Sequence, residues 1–501
     1  LLIVVAMALL FYAGRLNHDL LRQREELELT QADPLENTPP LVAFTTVALG
    51  GFRGLLADWL WLRSSRLQEE GKYFELVQLA EWITELQPRF AEVWAFHAWN
   101  LAYNVSVLFQ EPEDRWRWVK NGISLLRDRG LAYNPGNAQM YRELGWMFQH
   151  KIGGAYDQAH RYYKHAWAEE MSLLFDGPSP DYDVYRRVAD TRSELLKNAE
   201  IAELVDALRA REVDPFSPVL LDEEKRPEEI RELLTSESGK QLLAFLRAYR
   251  LRNHYKLLPE IMADIEEQYG PLDWRLPQAH SLYWAFRGKA HASEFDAVAC
   301  ERMIFQSMAD ALRRGQLVWE RDEDIFMLTP NLPLLPWVKK AYEEAILEFP
   351  DQPSIKEAYT TFLQEALLIT YTYHRGEQAR ELFSELQMRD PDAFGDKSFK
   401  DTVFELVTVQ MSDLAYRNIS GLLEGALVQA YFWQAMGFED RAAGYHELAE
   451  LIWTRYQQEH AHESVQERVG LPPLAEFKRN ALESVRTTMT NRAGRLPAAA
   501  D

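Results

Sequence analysis

The chain has 501 residues and a formal charge of −22, from 55 Lys+Arg against 77 Asp+Glu. It is too long for one simple core and too acidic for a nucleic-acid binder, because a phosphate backbone calls for a basic surface. Its single cysteine, Cys300, excludes an intrachain disulfide, a cysteine zinc site and a C-x-x-C-H haem attachment. The apolar fraction of 47% is that of a folded protein and argues against wholesale disorder. Charge and Trp are uneven. Residues 1–175 hold 17 Lys+Arg against 21 Asp+Glu and, from Trp59 to Trp167, nine of the fifteen Trp; the remainder holds 38 against 56.

The chain opens "LLIVVAMALLFYAG". This run is shorter than the ~20 residues that span a bilayer. Residues 1–16 therefore read as the C-terminal part of a transmembrane anchor whose beginning precedes Leu1, with residues 1–14 in the lipid; the core of a secretory signal is the alternative. The following "RLNHDLLRQREELELT" mixes both charges and lacks the basic excess of a cytoplasmic flank, so the folded part is expected on the periplasmic side of a bacterial inner membrane. Residues 17–51 read as a linker and interfacial segment. The apolar stretch 41–62 contains Arg53 and Asp58 and reads as a docked or interfacial helix, not a second span.

From residue 52 apolar residues recur at spacings of three and four, the period of buried helices. "LWLRSSRLQEEGKYFELVQLAEWITELQP" predicts two helices around Gly71, closed by Pro88. A second pair, "RFAEVWAFHAWNLAYNVSVLF" and "PEDRWRWVKNGISLLRDRGLAYNP", closes at Pro135. In the third, "YRELGWMF" supplies Leu144, Gly145 and Phe148, and "AYDQAHRYYKHAW" is expected to place Tyr156, Ala159, Tyr163 and Ala166 on one helix face. Leu-Gly and an aromatic on one helix, then Ala, aromatic and Ala on the next, resembles the tetratricopeptide repeat (TPR). The resemblance implies an all-α, irregular TPR-like α-solenoid of helical hairpins, here with one N-terminal transmembrane helix, and a concave surface that binds other proteins.

Further hairpins are expected in "PQAHSLYWAFRGKAHASEFDAVACERMIFQSMADALRRG", in "AYTTFLQEALLITYTYHRGEQARELFSELQMRDP" with Ala379, Phe383 and Leu386 inward, and around Gly437 with Ala442 and Ala449 behind it. Residues 52–175 thus form an aromatic-rich repeat lobe and 241–490 a second. The Pro- and acid-rich segment 176–240 reads as an insertion or lobe boundary, 321–336 as an internal loop, and 491–501 as a loose tail.

Catalytic motifs are not found: there is no phosphate-cradling glycine loop, no G-x-S-x-G and no H-E-x-x-H. No catalytic, cofactor or metal residues are therefore assigned. His160 and His165 lie five apart, roughly 140° around a helix, whereas a zinc pair needs i, i+4. Cys300 reads as a small packed residue, and Glu424, in an apolar helix, as a buried carboxylate paired with an Arg. The candidate partner-binding residues are His97, Asn100 and Asn104, one polar line at i, i+3 and i+7, and Trp116 and Trp118 in "EDRWRWVK". Asn amides both donate to and accept from a peptide backbone, and Trp is a common interface anchor. The alternative for the polar line is that it ties down a preceding loop or helix end. The expected function is a non-enzymatic scaffold or assembly factor in a membrane-associated complex. Its partners are other proteins, and the bilayer through residues 1–14. The alternatives are an accessory subunit or enzyme acting on cell-envelope polysaccharide, or an accessory protein of a transport or secretion system.

Overall fold

Helix follows helix along nearly the whole described chain. The computed structural model describes Tyr12, Arg15 and residues 52–175, 177–320, 325–408, 416–459 and 471–490. The expected anchor, apart from Tyr12 and Arg15, the linker 17–51 and the tail 491–501 lie outside the described residues. Among those described, no helix is long and apolar enough to cross a membrane. The chain divides into two compact units between Val105 and Ser106.

The first unit is a helical hairpin and one further helix. Helix α1 (Phe52–Glu69) turns at Gly71 into α2 (Tyr73–Leu86), and α3 (Ala91–Trp99) follows Pro88. Gly71 sits at φ +70°, a conformation that side chains with a Cβ resist, and so ends α1. Leu60, Leu67, Leu76, Ile83 and Val93 form the core, with Trp61, Phe90 and Phe96 packed on it. The chain leaves α3 through a π-helical turn, Asn100–Val105.

The second unit begins with α4 (Pro112–Ser124), α5 (Ala138–Trp146) and α6 (His160–Ser172). Proline starts α4 at a position whose N–H has no helical partner, and the Asn137 side chain caps α5 by accepting from Met140 N at 2.9 Å. The acidic segment 176–240 is built into this unit as short helices, and it is not where the compact units part. Asp181, Thr191, Asn198 and Ser236 each accept a backbone N–H at a helix start, so these polar residues serve as caps. Asp181 and Thr191 open the short segments Tyr182–Arg187 and Arg192–Leu195, Asn198 opens α7 (Ala199–Arg209), α8 (Glu228–Thr235) follows Pro227, and Ser236 opens α9 (Glu237–Arg250).

Helices α10 (Pro259–Tyr269), α11 (Pro277–Lys289) and α12 (Glu294–Arg314) continue the stack, α11 lying between α5 and α12. Within the expected internal loop 321–336, residues 325–329 form a strand, β2 (Ile325–Thr329), which pairs antiparallel with β1 (Gln316–Glu320) in the register Leu317↔Leu328 and Trp319↔Phe326. Those four side chains pack with Ala168 and Leu276. Five-residue strands show too few alternations to stand out against helical spacing.

Then come α13 (Leu335–Glu348), α14 (Pro353–Thr372), α15 (Gly376–Arg389), α16 (Phe399–Thr408), α17 (Tyr416–Ala435), α18 (Glu439–Glu459) and α19 (Leu474–Thr490). Sequential neighbours pack from α12 to α15, α14 also meets α18, and α17 pairs with α18 and α19. Ala379, Phe383, Leu386, Ala442 and Ala449 all point inward. The result is a helical-repeat-like, all-α architecture. Pro391 does more than close a hairpin, because it opens a further helical turn. Glu424 is exposed on α17 and is not the buried carboxylate its apolar neighbours suggest.

Cys300 is fully buried on α12, and burial pushes its thiol up to about 11. The native protein should therefore leave an aromatic disulfide reagent unreacted at pH 8 and release one thiol equivalent once unfolded. Rapid reaction of the native protein would contradict this packing.

Candidate functional site

The stretch "GWMFQHKIGGAYDQAHRYYKHAW" carries a buried polar constellation of the second unit. Its first part is α5, which does not stop at Trp146 but widens into a π-helical turn, Met147–Ile152. Gly153 N closes that turn on Phe148 O at 2.8 Å. Such turns break the regular helical register and recur at functional sites. A Cβ on Gly154 would run into His150 O and the Tyr156 ring, so only glycine lets the chain double back here.

The doubling back builds a three-ring stack. Trp146 and His150 lie 4.7 Å apart and 11° from parallel; His150 and Tyr156 lie 4.4 Å apart and 12° from parallel. Tyr156 is 82% exposed and Trp146 38%. Tyr156 thus precedes α6 in the turn, a correction to its expected place on the inner helix face. Burial, helped by the charge of Lys151, lowers the His150 pKa and favours the neutral ring.

Beneath the stack lies a buried ionic cluster. Asp157 accepts from Lys151 Nζ at 2.6 Å, Arg115 Nη2 at 2.9 Å and Ala159 N at 2.8 Å. All three charged side chains are buried. Burial alone would raise the Asp157 pKa; the bonds from Lys151 and Ala159, then the charges of Lys151 and Arg115, outweigh it and hold the carboxyl below its usual range. One turn into α6, the buried Lys164 donates to Gly154 O at 2.5 Å and reaches His160 Nδ1 at 3.0 Å. Burial, with Arg314 nearby, brings its ammonium pKa down to about 8. These contacts pin both ends of the Gly153–Gly154 turn, which is what presents Tyr156.

The three histidines of this stretch serve three separate contacts. His150 is stacked, His160 meets Lys164, and His165 packs against Trp319 and Phe326. Among the described residues no group of three or more His, Cys, Asp or Glu is placed to hold a metal ion.

Beside the stack runs a groove of about 310 Å³ between α5, its π-turn and α12, lined by Arg142, Glu143, Trp146, Gln149, Arg302 and Gln306 among others. Burial raises the Glu143 pKa, partly offset by Arg142. Arg142 lies 3.7 Å from Asp296, and Arg302 donates to Ser354 Oγ at 3.1 Å. Gln149 reaches Ser307 Oγ at 3.4 Å, which in turn bonds Ser281 Oγ at 2.9 Å. Flat ring faces, carboxamides and guanidiniums are binding chemistry, offering apolar contact, two-way amide bonds and charge-assisted bonds.

The residues singled out in the sequence lie elsewhere. His97 and Asn100 are 4% and 1% exposed, and Asn104 is half-buried and donates to Asn100 Oδ1 at 2.9 Å. The polar line exists, with its two amides bonded to each other inside the first unit and its inner members buried. Trp116 is core, stacked 5.7 Å from Tyr163 and meeting Trp167 edge-on. Trp118 is half-buried against Phe109. Of the three stacked rings, the sequence analysis named Tyr156 alone, and placed it on a helix face. Trp146 and His150 at i, i+4, followed by Gly-Gly and Tyr, were the available signal.

His280 on α11 backs the cluster. It is fully buried, its Nε2 donates to Trp274 O at 2.8 Å, and its ring meets Phe148 and Trp167. Burial lowers its pKa to about 3, with the bond to Trp274 opposing. Between the unfolded value near ~6.5 and the folded one, the unfolded chain binds a proton that the folded chain refuses, so stability falls as pH falls through this window. Going from pH 7.5 to 5 should cost about 2 kcal/mol through this residue. His150, His160, His254 and His446 are pushed the same way by burial. The readout is therefore the difference in urea midpoint shift between wild type and His280→Gln, and equal shifts would contradict the assignment.

Compared with protein families, curated proteins and solved structures, the chain matches none.

Proposed function

We propose that this chain is a membrane-anchored, TPR-like scaffold, a subunit or assembly factor of a larger bacterial envelope complex. Residues 1–14 would hold it in the inner membrane, with the folded part on the periplasmic side. The observation that carries this reading is the open α5–α12 groove flanked by the exposed Trp146–His150–Tyr156 stack. Its occupant would be an extended segment of a partner protein, with backbone amides meeting Gln149 and Gln306 and an apolar side chain on Trp146. Helices stacked as hairpins give such a groove rigid walls without a reactive centre.

The test is extraction of the native protein in mild detergent, then size-exclusion chromatography and mass spectrometry of what co-elutes. A defined set of partners with wild type, lost from a Trp146→Ser/Tyr156→Ser variant that keeps its helical circular dichroism, is the expected result. A lone monomer would overturn the scaffold reading; an unchanged set with the variant would move the site. A second reading, action on cell-envelope polysaccharide, draws on Glu143, whose raised pKa beside the Trp146 ring suits a proton donor to a sugar. Glu143→Gln abolishing polysaccharide turnover while partners still co-elute would favour it.

A further inference from the structure

The β1–β2 hairpin is a two-stranded sheet, so each strand has one edge without a neighbouring strand. One contact fixes which backbone groups point to those edges. Leu317 N donates to Asp273 Oδ2 at 3.3 Å and so turns away from β2. In an antiparallel pair, residues that bond across the ladder alternate with residues that point outward. Gln316, Val318 and Glu320 therefore bond to Thr329, Met327 and Ile325, while Leu317 and Trp319 on β1, and Phe326 and Leu328 on β2, turn their N–H and C=O groups outward. Asp273 caps the β1 edge at Leu317. On the β2 edge, the outward groups of Phe326 and Leu328 meet no hydrogen-bond partner among the described residues. The side chains of the same two residues are anchored. Phe326 packs on His165 and Trp319, and Leu328 joins the cluster of Ala168, Leu276 and Leu317. The packed face thus holds a preformed, open strand edge. Where β2 ends at Thr329, Pro330 ends the row of donors and a cavity of about 490 Å³ opens. Leu332 and Phe438 give it apolar walls; its charges, Arg375, Arg441, Glu439 and Asp440, are two of each sign.

We infer that β2 accepts an extended segment of a partner protein as a third strand. The backbone of that segment would bond to Phe326 and Leu328, and a side chain beyond the paired stretch would enter the cavity. A row of alternating N–H and C=O groups along a strand is complementary to another extended polypeptide, and strand addition is a common mode of peptide recognition. A second copy of this chain fits less well. Residues 320–324 read Glu-Arg-Asp-Glu-Asp, and pairing β2 with β2 would bring two such acidic turns to one small sheet in a chain of charge −22. The edge uses different residues from the α5–α12 groove, so either surface can fail alone.

The experiment is residue-resolved hydrogen exchange on the full chain, alone and with millimolar acetyl-Lys-Val-Thr-Val-Lys-Val-Thr-Val-Lys-amide, whose alternation favours a strand. Alone, the amides of Phe326 and Leu328 should exchange fast and that of Met327 slowly. The peptide should slow Phe326 and Leu328. Two further peptides carry N-methyl groups on every valine or on every intervening residue. In a strand these two sets of N–H groups point to opposite edges. One set should therefore weaken binding about ten-fold, through lost hydrogen bonds, and the other should leave it unchanged. The protein itself stays unaltered, so misfolding cannot imitate the result. Slow exchange of Phe326 and Leu328 in the free chain would overturn the inference. If that slowness vanished on dilution, a second copy would be the occupant; if it persisted, the chain would cover its own edge. No slowing with the peptide, or equal loss with both methylated peptides, would also overturn it.

Discussion

Asp157→Ala should destabilise the second unit by about 3–5 kcal/mol, the usual cost of removing one member of a buried ion pair. The reason is what remains. Lys151 and Arg115 are 4% and 8% exposed, and both direct their charge at this one carboxylate. Without it, two cations stay desolvated, and the Ala159 N–H loses its acceptor. Burial already lowers the Lys151 pKa, and the loss of Asp157 removes the main opposing influence. Urea unfolding followed by tryptophan fluorescence reads the change directly, since Trp116 and Trp167 flank the cluster. Adding Lys151→Met should recover part of the loss, because an apolar side chain needs no counter-charge. No change in midpoint would mean that water reaches this cluster. The pH dependence follows from the same contacts. The folded pKa of Asp157 is depressed, so its contribution is complete above the unfolded value near ~4 and is lost as pH falls through the lower folded one. That window lies below most of the His280 window, so the two effects separate on titration.

Gly270→Ala should cost roughly 3–5 kcal/mol, from two independent causes that add. Gly270 ends α10 at φ +84° and ψ −173°, a backbone region open essentially to glycine alone. A Cβ there would also lie about 2.5 Å from the Trp337 indole on α13. The ring cannot back away cheaply, because α10 and α13 pack against each other. Strain would spread to the neighbouring network, where Glu266 accepts from Ser179 Oγ at 2.5 Å and Trp274 Nε1 at 3.1 Å. Pairing the substitution with Trp337→Ala separates the causes. The double variant should regain the steric share and keep the backbone share, measured as urea midpoints. A neutral Gly270→Ala would show that the turn has another conformation available.

Much of this was legible because it is local. Helical periodicity, Gly71 and Gly437 at turns and Pro88 after α2 act within a few residues of their own position, and local rules read them. The burial of Ala379, Leu386 and Ala449 was legible too, because spacings of three and four place residues on one face whatever the neighbour is. The helices of the polar segment 176–240 were not legible for a related reason. Asp, Ser, Thr and Asn serve both loops and helix starts, and only the packed structure decides between the two.

The candidate site was hidden by distance in the chain. Arg115 meets Asp157 from another helix, and no pattern in either stretch announces the other. The π-turn after Trp146 is a departure from the helical register that tertiary packing imposes, and it alone brings His150 under Tyr156. Burial was likewise not legible at His97, Asn100 and Trp116, whose residue types suit an interface and whose side chains the fold encloses. By itself, then, the sequence determined that the protein is built of helical hairpins and where most of them turn, because helix formation and termination are governed by neighbours. Only the tertiary structure decided which polar side chains became structural and which ring faces stayed open, because burial depends on what packs from elsewhere in the chain.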